Sequence, residues 1–176
     1  MGALLATLSI AVAGVFAAYV ARPRCGRSAA AAHALMGLGM AAMFSPWADP
    51  VPPLVGAGVF AAVAAWFGGR LAHGVPAAPG GAAHLVVAPA AMAAMYLSHG
   101  FGGHHAGAVT LAAVWLAFAG YFGWHATASA GRARQAWTGG QATSAVLAPP
   151  ARRLCVEPGA HVVMSGLMVA MFLTAL

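Results

Sequence analysis

His33-Ala-Leu-Met36-Gly-Leu-Gly-Met40-Ala-Ala-Met43-Phe44 returns later in the chain as His161-Val-Val-Met164-Ser-Gly-Leu-Met168-Val-Ala-Met171-Phe172. Both stretches read H-x2-M-x3-M-x2-M-F. A third stretch keeps part of the pattern: His84, then Met92-Ala-Ala-Met95-Tyr96, with Pro89 in between. It lacks the first Met, and its His sits one residue further back. Proline removes a helical donor and often brings a kink or a widened turn, so one extra residue can be absorbed there. On a helix, Met36, Met40 and Met43 point about 60°, 20° and 80° to one side of His33. The four side chains share one stripe, and the same holds for His161, Met164, Met168 and Met171. In the third stretch, Met92, Met95 and His99 fall within about 80° of His84.

The composition around these stretches sets the class. Of 176 residues, 62% are hydrophobic and 6% charged, where an ordinary soluble domain is about 25% charged. That excludes a solvated surface, a coiled coil and a disordered tail. Asp49 and Glu157 are the only acids, which leaves no neighbouring carboxylates for acid–base catalysis. The eight Arg give a net charge of +6. They are scattered among apolar runs and form no basic stripe for nucleic acid. Two Cys cannot build a disulfide framework. No nucleophile elbow, H-E-x-x-H or Gly-rich phosphate loop occurs, so no enzymatic activity is expected.

A helix needs about 20 mostly apolar residues to cross a bilayer core. Six stretches meet or approach this: 2–21, 28–46, 52–69, 82–98, 107–127 and 158–176. Breakers stand at the joints, among them Pro23, Pro46, Pro50, Pro79 and Pro150. Arg22, Arg24 and Arg27 lie between the first two stretches, Arg70 between the third and fourth, and Arg132, Arg134, Arg152 and Arg153 between the last two. All eight Arg therefore fall in alternate loops, which the positive-inside rule makes cytoplasmic. The expected fold is an all-α polytopic membrane protein with six transmembrane helices and both termini outside. It forms a single membrane domain, 1–176, in the plasma membrane of a bacterium. Residues 128–157 read as a flexible cytoplasmic loop. The first stretch has no basic residue before its apolar core, so it reads as a retained helix rather than a signal peptide.

The repeat suggests three hairpins, each ending in a marked helix. Tyr19, Trp66, Phe67, Tyr121, Phe122 and Trp124 on the odd helices suit an interfacial belt, and His125 ends the fifth stretch as an interfacial residue. The three marked helices run the same way. Facing one another, they place His33, His84 and His161 in one layer, Met40, Met92 and Met168 in a second, and Met43, Met95 and Met171 in a third. Met36 and Met164 make an incomplete layer between. Thioether sulfur is a soft neutral ligand that selects Cu(I), and neutral imidazole binds copper as well. Stacked weak sites allow a cation to pass from one to the next. His99, His104 and His105 in the outer turn are placed to collect copper. Cys25 and Cys155 at the inner face are placed to receive it.

The repeated motif in a six-span Ala/Gly-rich chain resembles a family of actinobacterial integral membrane proteins known only as a domain of unknown function. The ladder is also similar in idea to the Ctr-type copper transporters, which line a threefold pore with M-x3-M pairs. Met36/Met40 and Met164/Met168 have that spacing here. The sequence thus points to a Cu(I)-binding membrane protein that transports copper or delivers it to a partner such as a copper chaperone or cuproenzyme. Two other readings stand beside it. One is a haem-binding electron carrier using His/His or His/Met ligation. The other is a structural or assembly subunit in which the Met stripe is packing.

Overall fold

A computed structural model describes residues 2–21, 27–45, 51–74, 82–100, 108–142 and 158–174. They form six helices: α1 (Gly2–Val20), α2 (Arg27–Phe44), α3 (Pro53–Ala72), α4 (Ala82–Gly100), α5 (Ala108–Ala142) and α6 (Pro158–Thr174). No strand occurs among the described residues, so the chain is all-α. Pro23, Pro46, Pro50, Pro79 and Pro150 lie outside the described residues, while proline and glycine mark several of the helix ends that are described. α3 and α6 open on Pro53 and Pro158, where proline's missing donor costs nothing and its fixed φ suits the helix. α3 closes on Gly74 at φ 64, and its last carbonyls are met by the His73 and Gly74 amides. Asp49, Cys25, Cys155, His104, His105, Arg22, Arg24, Arg152 and Arg153 lie outside the described residues.

One expectation fails. Residues 128–142 are not loop but the continuation of α5, which runs for 35 residues. The Gly, Ser and Thr in this stretch suggested a loop, but Ala128, Ala130, Ala133 and Ala136 alternate with Arg132, Arg134 and Gln135, all strong helix formers. The Ser129 hydroxyl accepts a 2.8 Å hydrogen bond from Arg132 one turn on. Of the six helices, Gly2–Val20 and Pro53–Ala72 are long and apolar enough to cross a membrane, while Ala83–His99 and Gly159–Thr174 are shorter apolar helices.

The chain divides into two compact units, one holding α1 to α4 and the other α5 from Val109 with α6. In the first, α1 packs on α2 and α3 on α4. The α1–α2 pair is antiparallel: Gly2 abuts the Phe44 carbonyl at one end, and Phe16 stacks on His33 toward the other. The α3–α4 pair is antiparallel too, with Gly56 under Tyr96 and with Val63 and Phe67 beside Leu85 and Val86. Ala29 and Ala32 of α2 join this last group, so three helices close around small side chains there. α2 and α4 run parallel, because His33 meets His84 near both starts and Gly39 meets Met92 further along both. The outward faces are apolar, with Leu4, Ile10, Leu54, Val55 and Trp66 exposed.

In the second unit, Phe172 of α6 sits among Trp115, Phe118 and Phe122 of α5, with ring centroids 5.6, 5.4 and 5.7 Å away. His125 further along α5 meets Ser165 earlier on α6, so this pair is also antiparallel. The aromatic residues expected in an interfacial belt differ in exposure. Trp66 and Trp124 are exposed, but Tyr19, Phe67 and Phe122 are buried in helix contacts.

Candidate functional site

On α2, Gly37 faces α1. A Cβ there would lie 2.9 Å from the Ala13 Cβ. Gly39 faces the other way. A Cβ there would lie 2.6 Å from Phe60 Cζ and 2.9 Å from Met92 Cε. Going round the helix from Gly37 toward Gly39, His33, Met40, Met36 and Met43 stand at about 40°, 60°, 100° and 120°, and Gly39 at about 160°. The stripe therefore points into the angle between the two packed neighbours. This explains its burial: His33, Met36 and Met40 are buried, and Met43 is half-buried. On α4, His84, Met92 and Met95 are buried as well.

The His33 and His84 rings lie 5.8 Å apart, centroid to centroid, at an interplanar angle of 21°. Phe16 also stacks on His33, with a centroid distance of 4.8 Å. His33 Nδ1–H donates to the Ala29 carbonyl at 2.7 Å. A carbonyl can only accept, so in the neutral ring the lone pair is on Nε2. A hydrogen bond from one ring nitrogen to a backbone carbonyl is the usual way a metal-binding His is held in its tautomer. Further along, Met92 touches α2 at Gly39, next to Met40. The two levels are about 9 Å apart on α2 and about 12 Å apart on α4. The extra residue of the third stretch thus leaves His paired with His and Met92 beside the Met40 turn. Tyr96 locks this arrangement: its hydroxyl donates to the Gly39 carbonyl at 3.3 Å, and its ring stacks on Phe60.

His99 is exposed at the end of α4, and its Nδ1–H donates to the Met95 carbonyl at 2.9 Å. It lies outside the buried ladder, although its spacing put it on the stripe. On α6, His161 is half-buried while Met164, Met168 and Met171 are buried.

Sequence reasoning missed His125. It is buried rather than interfacial, with Nδ1 3.1 Å from the Ser165 Oγ and Tyr121 stacked nearby. The available signal was its place on the Phe118–Phe122 face of α5, which the neighbouring Trp124 obscured. Among the described residues, no three His, Cys, Asp or Glu side chains group to hold a metal ion.

The arrangement defines an all-α protein of antiparallel helix pairs whose even helices carry buried His/Met stripes. The chain belongs to the family described as Domain of unknown function (DUF5134), whose family model matches residues 25–175. The match takes in α2 to α6. No curated protein and no solved structure matches the chain.

Proposed function

We propose that this chain is a six-span membrane protein, with both termini outside and its Arg loops in the cytoplasm, that binds Cu(I) on its His/Met stripes and transports or delivers it. The bacterial plasma membrane is its setting. The many large apolar side chains exposed together, among them Leu4, Ile10, Leu54, Val55, Trp66 and Leu116, support the membrane reading, since so much exposed apolar surface suits lipid. The observation that carries the copper reading is the His33–His84 pair at 5.8 Å with buried Met36, Met40, Met92 and Met95 beyond it on the same two helices.

The donor set favours a soft monovalent ion. Thioether and neutral imidazole bring no charge to offset a cation, and removing a divalent ion from water costs more than removing a monovalent one. Haem fits less well. A macrocycle between the His33 and His84 rings has to part α2 from α4, which meet at Gly39 and Met92 only six residues further along α2.

The test is the Cu(I) content of detergent-purified protein, loaded anaerobically under reducing conditions against a competing chelator. Wild type is compared with a variant carrying Met40→Leu, Met92→Leu and Met168→Leu. Copper retained by wild type and lost by the variant is the expected result. A wild type that keeps no copper overturns the proposal and leaves the stripe as packing. A Soret band in the purified protein overturns it in favour of haem.

A further inference from the structure

We propose that the α5–α6 pair carries a second Cu(I) site, formed by the imidazoles of His125 and His161 with the sulfurs of Met164 and Met168. This rests on the copper reading above and adds a ligand from an odd helix, where no repeat of the motif puts one. Ser165 meets His125 across the pair. Round α6 from Ser165, His161 stands at about 40°, Met168 at about 60° and Met164 at about 100°, all to the same side. His161 is one turn before Ser165 and Met168 one turn after. The His125 ring thus enters the ladder of α6 between its His and its second Met.

Ser165 supports the imidazole as the Ala29 carbonyl supports His33. A hydroxyl can donate or accept; with copper on Nε2 the ring proton is on Nδ1, and the Ser165 hydroxyl accepts it. The Nε2 atom is buried. The Tyr121 ring lies beside that of His125, nearly parallel, with a centroid distance of 6.3 Å. A buried imidazole on an apolar helix costs free energy, which points to a function for it. The matching place in the α1–α2 pair holds Ala13 and the Ser9 carbonyl against Gly37, with no imidazole.

The test counts Cu(I) and reads its ligands by X-ray absorption in the full chain. Wild type is expected to hold two equivalents, and His125→Asn one. Asparagine keeps a polar group for Ser165 but offers no imidazole. The variant His33→Leu with His84→Leu is expected to retain one equivalent, with nitrogen and sulfur both at the metal, and to lose it when His125→Asn is added. Gel filtration shows that each variant is monodisperse before loading. If His125→Asn keeps the wild-type copper content and ligand pattern, or the His33/His84 variant holds none while wild type holds copper, the second site is overturned. A wild type without copper overturns the copper reading itself, and this site with it.

Discussion

Gly37 in α2 and Ser165 in α6 occupy the same place, four residues after the His of the motif. The two helix pairs use that place in opposite ways. Gly37 lets α1 come so close that a Cβ would stand 2.9 Å from Ala13. Ser165 instead meets a buried His at 3.1 Å. Two positions on, Gly39 admits Phe60 and Met92, whereas Leu167 fills the equivalent place with its own buried side chain. The closing aromatic differs as well. Phe172 is buried among three rings, while Phe44 is half-buried. One motif therefore serves a pair held by close backbone approach and a pair held by aromatic and polar contacts. The His and Met positions are common to both; the residues between them adapt each stripe to its neighbours.

Substitutions at matched positions test this contrast. The largest effect is expected at the closing aromatic. Phe172→Ala removes a fully buried ring and should cost about 3–5 kcal/mol, against clearly less for Phe44→Ala. Reversible unfolding in mixed micelles reads both, and equal losses would erase the distinction. Next comes Gly39→Val, whose side chain has to displace Phe60 and the Met92 methyl. A cost of about 1–3 kcal/mol is expected in the same measurement. An unchanged stability would mean that α2 and α4 do not meet there. Ser165→Ala removes one buried hydrogen bond to His125 and should cost about 0.5–1.5 kcal/mol. Histidine NMR should at the same time show the His125 ring with a changed tautomer balance. A silent spectrum would deny the contact. The smallest effect is expected at Gly166, which has nothing within 4 Å of a built Cβ. Gly166→Ala should stabilise by about 0.4–1 kcal/mol through the unfolded chain and helix propensity. A loss would reveal a neighbour at that face.

Much of the helix layout was legible because apolar runs and breakers act locally. The stretches 28–46 and 82–98 differ from α2 and α4 by no more than two residues at either end. Pairing of His84 with His33 was legible from spacing alone, even across Pro89. The continuation of α5 past residue 127 was not. Gly131, Gly139 and Gly140 are weak helix formers, but the Ala and Arg between them outweigh them. Exposure of His99 was hidden for another reason: angular spacing says which way a residue points, not how far the packed neighbour extends along the helix.

The sequence by itself determined an all-α chain, the order of its helices and the common stripe of His33, Met36, Met40 and Met43 with its copies. These follow from composition and the helical repeat, which need no partner. Only the tertiary structure decided that the α2 stripe lies between α1 on one side and α3 and α4 on the other, that His33 stacks with both Phe16 and His84, and that His125 is buried against Ser165. Those outcomes depend on how closely two helices approach. That distance is set by pairs of side chains far apart in the chain, such as Gly37 with Ala13 and Gly39 with Met92, and no periodicity within one helix encodes it.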